Sequence, residues 1–87
     1  MERKVSEWLL HNVDYIKPKL IKETSSYTEL YELREMIFYK LKMEILTELK
    51  GNTIDILAAF DDDRVINIIY TYYVTPLINE RNVNETN

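Results

Sequence analysis

The sequence contains no cysteine and no glutamine, and only one glycine, two prolines and one histidine. Without cysteine, neither a disulfide nor a thiolate-bound metal can stabilise the chain. So few glycines and prolines argue against an all-β fold, which needs many tight turns. No apolar run approaches the ~20 residues that cross a membrane, and the N-terminal MERKVSEWLL lacks a signal-peptide core. We therefore expect a cytoplasmic protein without a membrane partner.

The composition is that of a small globular domain. Of the 87 residues, 46% are hydrophobic and 30% are charged. A domain of this size is only marginally stable, so its stability depends on helix packing, temperature adaptation or a partner. Ten isoleucines, seven tyrosines and abundant lysine and glutamate are typical of a thermophile, such as an archaeon or one of its viruses. An AT-rich genome explains the same bias, including the seven asparagines.

The net charge of −4 lies in the C-terminal part of the chain. Residues 1–50 carry nine basic and nine acidic side chains, whereas residues 51–87 carry two arginines and six acids. Nucleic-acid affinity depends on counterion release by lysine and arginine. The charge therefore disfavours nucleic acid as the principal partner.

Apolar spacing predicts helices in the first half of the chain. Val5, Leu9 and Ile16 belong to a first amphipathic helix, and Pro18 is expected to end or kink it. Ser26 and Glu29 match a capping box, which predicts a long helix of roughly 24 residues, or about 36 Å. We expect Gly51 to terminate that helix in a left-handed conformation. A short helix, capped by Thr53, then covers residues 54–60.

The stretch DDDRVINIIYTYYVTP, residues 61–76, reads as a strand by propensity and as a helix by pattern. In a helix, its polar residues form one narrow stripe, consisting of Arg64, Asn67, Thr71 and Thr75. No second strand-like run is present to pair with it. We therefore predict a helix with acidic N-terminal capping. The predicted fold is all-α, a small bundle of three to four helices including one long central helix, over residues 1–78. Residues 79–87 are predicted to be a flexible polar tail.

No catalytic or metal-binding set is recognisable, and we expect neither an enzyme nor a cofactor. His11 is alone, and the spacing of the acids at 61–63 does not match a calcium-binding loop. These residues are expected to be a surface histidine and helix-capping acids.

Tyrosines supply the best candidate site, since a small core cannot bury all seven with their hydroxyls satisfied. Tyrosine is enriched at protein interfaces. We predict a protein-binding face on one of the two longest predicted helices, formed either by Tyr70 and Tyr73 or by Tyr27, Tyr31 and Tyr39. The alternative is that these rings lie half-buried at the margin of the core. Lys17, Lys19 and Lys22 form the best local basic patch and a secondary candidate for nucleic-acid contact.

The segment YTELYELREMIFYKLKMEILTEL resembles the charged amphipathic helices in the helical domain of archaeal GINS subunits. Size and acidity also resemble the small helical proteins that bind the B-family DNA polymerase of crenarchaea. The resemblance covers about a third of the chain, and the β-domain of a full GINS subunit is missing. It implies a non-catalytic accessory subunit of the replication machinery, with a DNA polymerase or another replisome component as partner.

Three functional hypotheses remain open. The first is a non-catalytic interaction subunit that docks through an aromatic helix face onto a larger protein. The second is a virus-encoded inhibitor whose acids at 61–63 occlude a nucleic-acid-binding groove of a host protein. The third is a small DNA-binding helical module, which would use Lys40 and Lys42 besides the basic patch, or a helix-turn-helix across residues 53–75. A homodimer is compatible with each of them.

Overall fold

The computed structural model describes the backbone of residues 2–86 and the side chains of residues 3–81. Its α-helices are α1 (Glu2–His11), α2 (Val13–Glu23), α3 (Leu30–Leu49), α4 (Thr53–Ala59), α5 (Asp63–Ile69) and α6 (Thr75–Thr86). A π-helical segment (Tyr70–Val74) joins α5 to α6 without a break, so the described chain forms five helices. No strand occurs among the described residues, and the predicted all-α class is confirmed. The division into five helices exceeds the three or four that were predicted.

One hydrophobic core connects all the helices, and the molecule measures 44 × 22 × 20 Å. Helix α3 supplies four core residues at strict four-residue spacing, and α1 packs against α4 and α5. Side chains with at most 5% exposure form the core: Val5, Leu9, Ile16, Leu20, Leu33, Ile37, Leu41, Ile45, Ile56, Ala59, Phe60, Val65, Ile69, Tyr73, Val74 and Leu77.

The break between the first two helices occurs at Asn12 and not at Pro18. The Asn12 backbone N–H and its side-chain Nδ2 both donate to the Trp8 carbonyl, at 3.0 and 2.8 Å. An asparagine side chain that bonds to the backbone in this way competes with the helical ladder. Pro18 lies inside α2. Ile16 and Leu20, on either side of Pro18, are both in the core, and this packing outweighs the local cost of proline.

The polar break at residues 24–26 completes α2 instead of starting α3, so the predicted capping box is wrong. The Thr24 hydroxyl donates to the Leu20 carbonyl at 2.5 Å, and the Ser25 hydroxyl donates to the Lys22 carbonyl at 3.0 Å. Glu29 is the N-cap of α3, and no side chain caps that helix. The long helix therefore begins at Leu30 and has 20 residues, or about 30 Å.

Helix α3 ends on a non-glycine residue in the left-handed region. Lys50 has φ 46° and ψ 33°, whereas Gly51 has no positive φ. The prediction that Gly51 adopts this conformation is wrong by one residue. Asn52, not Thr53, then caps α4, because its side chain accepts the N–H of Ile54 at 2.9 Å.

The stretch at residues 61–76 is helical, as predicted. The Asp62 carboxylate caps α5 by accepting the N–H of Arg64 at 2.8 Å. The predicted polar stripe is solvent-exposed at all four positions, which are Arg64, Asn67, Thr71 and Thr75.

The π-helical segment was not predicted. It is closed by the Thr75 N–H, which donates to the Tyr70 carbonyl five residues earlier. Pro76 follows directly, and in a regular α-helix its ring would clash with the carbonyl of Tyr72. The wider π turn relieves that clash, so the helix passes through Pro76 and α6 continues to Thr86. Residues 79–86, predicted as a tail, are therefore helical, and residue 87 lies outside the described residues.

Candidate protein-binding surface

Helix α3 carries apolar side chains on two opposite faces. Its buried face consists of Leu33, Ile37, Leu41 and Ile45, all with at most 1% exposure. A single amphipathic helix normally confines its apolar residues to such a face and presents polar residues to water. In α3 the solvent face is also partly apolar, and this surplus distinguishes α3 as the candidate site.

We call the exposed residues Tyr31, Tyr39 and Met43 the α3 stripe. Their exposed fractions are 64%, 56% and 48%. Together with Glu35 they follow a four-residue spacing, which places all of them on neighbouring turns of one helix face. The stripe extends about 18 Å along the helix, at 1.5 Å per residue. The stripe therefore lies along one helix face, with the exposed Glu35 between its two tyrosines.

One end of the α3 stripe is held by a cation–π contact. The Arg34 guanidinium lies 5.8 Å from the centroid of the Tyr31 ring. Tyrosine, methionine and arginine are the side chains that protein interfaces favour. A ring already restrained by its neighbour loses less side-chain entropy when a partner covers it.

The other predicted tyrosines do not extend this surface. Tyr27 is half-buried. Tyr70 is also half-buried, and its ring centroid lies 5.6 Å from that of Phe38, with the planes tilted by 59°. Tyr73 is fully buried, so the predicted docking face formed by Tyr70 and Tyr73 is not present at the surface.

The Tyr73 hydroxyl is satisfied inside the core. It donates to the Leu9 carbonyl at 2.5 Å, which ties the π-helical segment to α1. Burial disfavours the charged phenolate and raises the pKa of Tyr73. Tyr73 is thus a structural residue, and of the five predicted tyrosines only Tyr31 and Tyr39 belong to the stripe.

Some of the lysines considered for nucleic-acid contact form ion pairs between helices. Lys19 on α2 pairs with Glu44 on α3, and Lys40 on α3 pairs with Glu23 on α2 at 3.3 Å. The hydrogen bond that Lys19 donates to the Glu44 carboxylate is the main reason that the pKa of Lys19 is raised, while desolvation opposes it. Lys17 is half-buried and Lys22 is exposed. Two cations of the proposed nucleic-acid face therefore serve the packing of α2 on α3.

The remaining polar candidates have local structural roles or stand alone. Asp62 caps α5, and Asp61 and Asp63 are exposed beside it. His11 is exposed at the end of α1. Within the described side chains, no group of three histidine, cysteine or acidic residues could hold a metal ion.

Some exposed apolar residues were missed by the sequence prediction. Met43 lies four residues after Tyr39, and that spacing on one helix face is the signal that could have identified it. Tyr15 and Ile54 are the most exposed large apolar side chains, at 72% and 77%. They lie on α2 and α4 respectively, so they provide comparison positions outside the α3 stripe.

No described helix is long and apolar enough to span a membrane. Comparison of the chain with protein-family models, with curated proteins and with solved structures finds no match.

Proposed function

We propose that the chain is a non-catalytic interaction subunit that binds a larger protein through the α3 stripe. The observation that carries this proposal is the second apolar face of α3, opposite the face that builds the core. The stripe supplies two tyrosines, a residue type enriched among the hot spots that dominate binding energy, and a methionine, which is enriched at interfaces.

The surroundings of the stripe define the partner surface. Glu32 and Glu35 are exposed on the same side of α3. A complementary partner presents an apolar groove or helix face rimmed by lysine or arginine. The resemblance to archaeal replication subunits makes a polymerase or replisome component the first partner to test. Self-association through the same stripe is the main alternative.

Binding should be tested with variants of the stripe and a matched variant outside it. Tyr39→Ala removes a ring that is 56% exposed from the stripe, and Tyr15→Ala removes a ring that is 72% exposed from α2. We expect Tyr39→Ala to weaken partner binding by about 10-fold or more, as truncation of an interface hot spot does. Tyr15→Ala should bind like the wild type. Both variants should remain within about 0.5 kcal/mol of wild-type stability, because both rings are exposed.

The assay begins with the tagged chain purified from its source after nuclease treatment. Stoichiometric partners are identified by mass spectrometry, and their affinity for each variant is measured by titration calorimetry. Analytical ultracentrifugation of the isolated chain tests self-association in parallel. Equal losses for both tyrosine variants would remove the α3 stripe from the proposal. A monomer that retains no partner would remove the function itself.

An inhibitor of a nucleic-acid-binding protein is the second candidate, favoured by the two exposed acids beside the start of α5. Asp61→Lys together with Asp63→Lys tests it without touching Asp62, which caps the helix. This pair should abolish binding to a basic groove, whereas binding through the α3 stripe should survive. Wild-type affinity in the charge-reversed variant would exclude the inhibitor.

A further inference from the structure

Opposite charges flank Tyr39, the central aromatic residue of the α3 stripe. Glu35 lies one helical turn before Tyr39 and is exposed. Lys42 lies three residues after Tyr39 and is half-buried, with its Nζ 5.8 Å from the centroid of the Phe60 ring. The stripe therefore has an acid on the N-terminal side of its centre and a base on the C-terminal side.

These two charges have no ion-pair partner within the molecule. Lys40 and Glu44, in the same part of α3, both pair with residues of α2. Neither Glu35 nor Lys42 forms an ion pair with another described side chain. Both side chains are thus available to a molecule that covers the stripe.

A second copy of α3 has the surface that the stripe requires, namely an apolar helix face with a basic rim. In an antiparallel pair with both Tyr39 rings near the two-fold axis, Glu35 of one copy lies beside Lys42 of the other copy. The symmetry forms this contact twice, because in such an interface each residue meets the same partner in both directions. A parallel pair would place like charges together, which is unfavourable. Charge therefore selects the antiparallel orientation.

The spacing of the stripe also fits the packing of two identical helices. Tyr31, Tyr39 and Met43 belong to one ridge of four-residue spacing. Two ridges of this kind interdigitate when the helices cross at about 50°, which confines the contact to the turns nearest the crossing point. The contact is small, as in weak and transient complexes. A pair formed in this way dissociates readily.

We propose that the free chain forms an antiparallel homodimer through the α3 stripe, and that the larger protein displaces the second copy when it binds. This regulation rests on the docking function proposed above. One molecule then uses its stripe either for a second copy or for the larger protein. The homodimer covers apolar side chains that would otherwise make non-specific contacts.

Sedimentation equilibrium of the isolated full-length chain, from micromolar to millimolar concentration, tests the homodimer. We expect a reversible monomer–dimer equilibrium. Tyr39→Ala should weaken it at least about 10-fold, whereas Tyr15→Ala should dimerise like the wild type. A wild-type chain that stays monomeric would overturn the homodimer. That result leaves the docking function intact, because titration with the larger protein tests docking separately.

Exchange of the two charges tests the orientation. Glu35→Lys and Lys42→Glu each place like charges at both contacts of an antiparallel pair, and each should weaken the homodimer about 10-fold. An equimolar mixture of the two variants should dimerise again, because one chain then carries two lysines at the contacts and the other carries two glutamates. Recovery in the mixture also shows that both variants are folded. Single variants that dimerise like the wild type, or a mixture that stays monomeric, would overturn the antiparallel arrangement.

Oxidation of Met43 by excess hydrogen peroxide measures whether the dimer covers the stripe. Met43 is 48% exposed in the isolated chain, so its sulfur is accessible to the reagent in the monomer. The rate of sulfoxide formation at Met43, followed by peptide mass spectrometry, should fall as the chain concentration rises. In Tyr39→Ala the rate should stay high over the same range. A rate that does not depend on the concentration of a dimerising wild-type chain would show that the stripe stays open, and would overturn the displacement by the larger protein.

Discussion

Removing one oxygen atom from Tyr73 gives the most direct test of the packing between α1 and the π-helical segment. Tyr73 is 0% exposed, and its hydroxyl donates to the Leu9 carbonyl at 2.5 Å. In Tyr73→Phe the ring still fills its place, so no large cavity forms. The Leu9 carbonyl loses this donor inside the core.

The expected loss of stability in Tyr73→Phe follows from the burial of both groups of the hydrogen bond. A typical hydrogen bond contributes about 1 kcal/mol net, and an unsatisfied buried group costs about 1–3 kcal/mol. We expect Tyr73→Phe to lower the free energy of unfolding by about 1.5 kcal/mol. For a domain of this size that corresponds to a fall in Tm of about 6–12 °C.

The control comes from the same segment. Tyr72 is 43% exposed, so Tyr72→Phe should change stability by less than about 0.5 kcal/mol. Urea and thermal unfolding followed by circular dichroism measure both variants. A neutral Tyr73→Phe, or an equal loss in Tyr72→Phe, would refute the buried hydrogen bond.

The same pair of proteins tests the raised pKa of Tyr73. Its stabilising protonated form is fully retained below the unfolded-state pKa of about 10. Above that pH the unfolded chain releases the proton while the folded chain still holds it, so stability falls as pH rises towards the folded-state pKa. The stability difference between wild type and Tyr73→Phe should therefore shrink above about pH 10. A constant difference across that range would contradict the pKa shift.

Two further predictions concern the connections of α3. Lys50→Gly should raise the free energy of unfolding, measured in urea, by about 0.5–1 kcal/mol, because glycine adopts the positive φ of this position without the Cβ clash of lysine. A loss of stability would contradict the left-handed cap. Lys19→Glu and Glu44→Lys should each lower Tm in thermal unfolding. The double exchange should restore most of the loss, because it re-forms the ion pair between α2 and α3 with reversed polarity. Additive losses in the double variant would show that the two residues are not coupled.

Local pattern was sufficient for the helix over residues 61–76. Its polar residues recur at helical spacing, and the structure exposes all of them. Asp62 caps that helix as its position before the apolar run predicts. The buried face of α3 follows from its sequence in the same way, because Leu33, Ile37, Leu41 and Ile45 recur at four-residue spacing and so share one helix face.

Side-chain contacts between distant residues were not readable in the same way. Tyr73 follows Val65 and Ile69 at four-residue spacing and is buried with them, but the acceptor of its hydroxyl is the Leu9 carbonyl, 64 residues away in the sequence. Lys19 of the basic patch pairs with Glu44 on α3, which lies 25 residues further along the chain. Sequence spacing within one helix contains no information about such partners.

The sequence by itself determined the helical class, the apolar face of each long helix and the presence of more tyrosine than a small core can hold. These properties depend on the periodicity of a single helix, which is set within a few residues. The tertiary structure decided which tyrosines remain exposed on α3, why the chain continues through two prolines, and how Lys40 of α3 reaches Glu23 of α2. Each of these depends on a packing contact that outweighs a local preference, and such contacts exist only once the helices have come together.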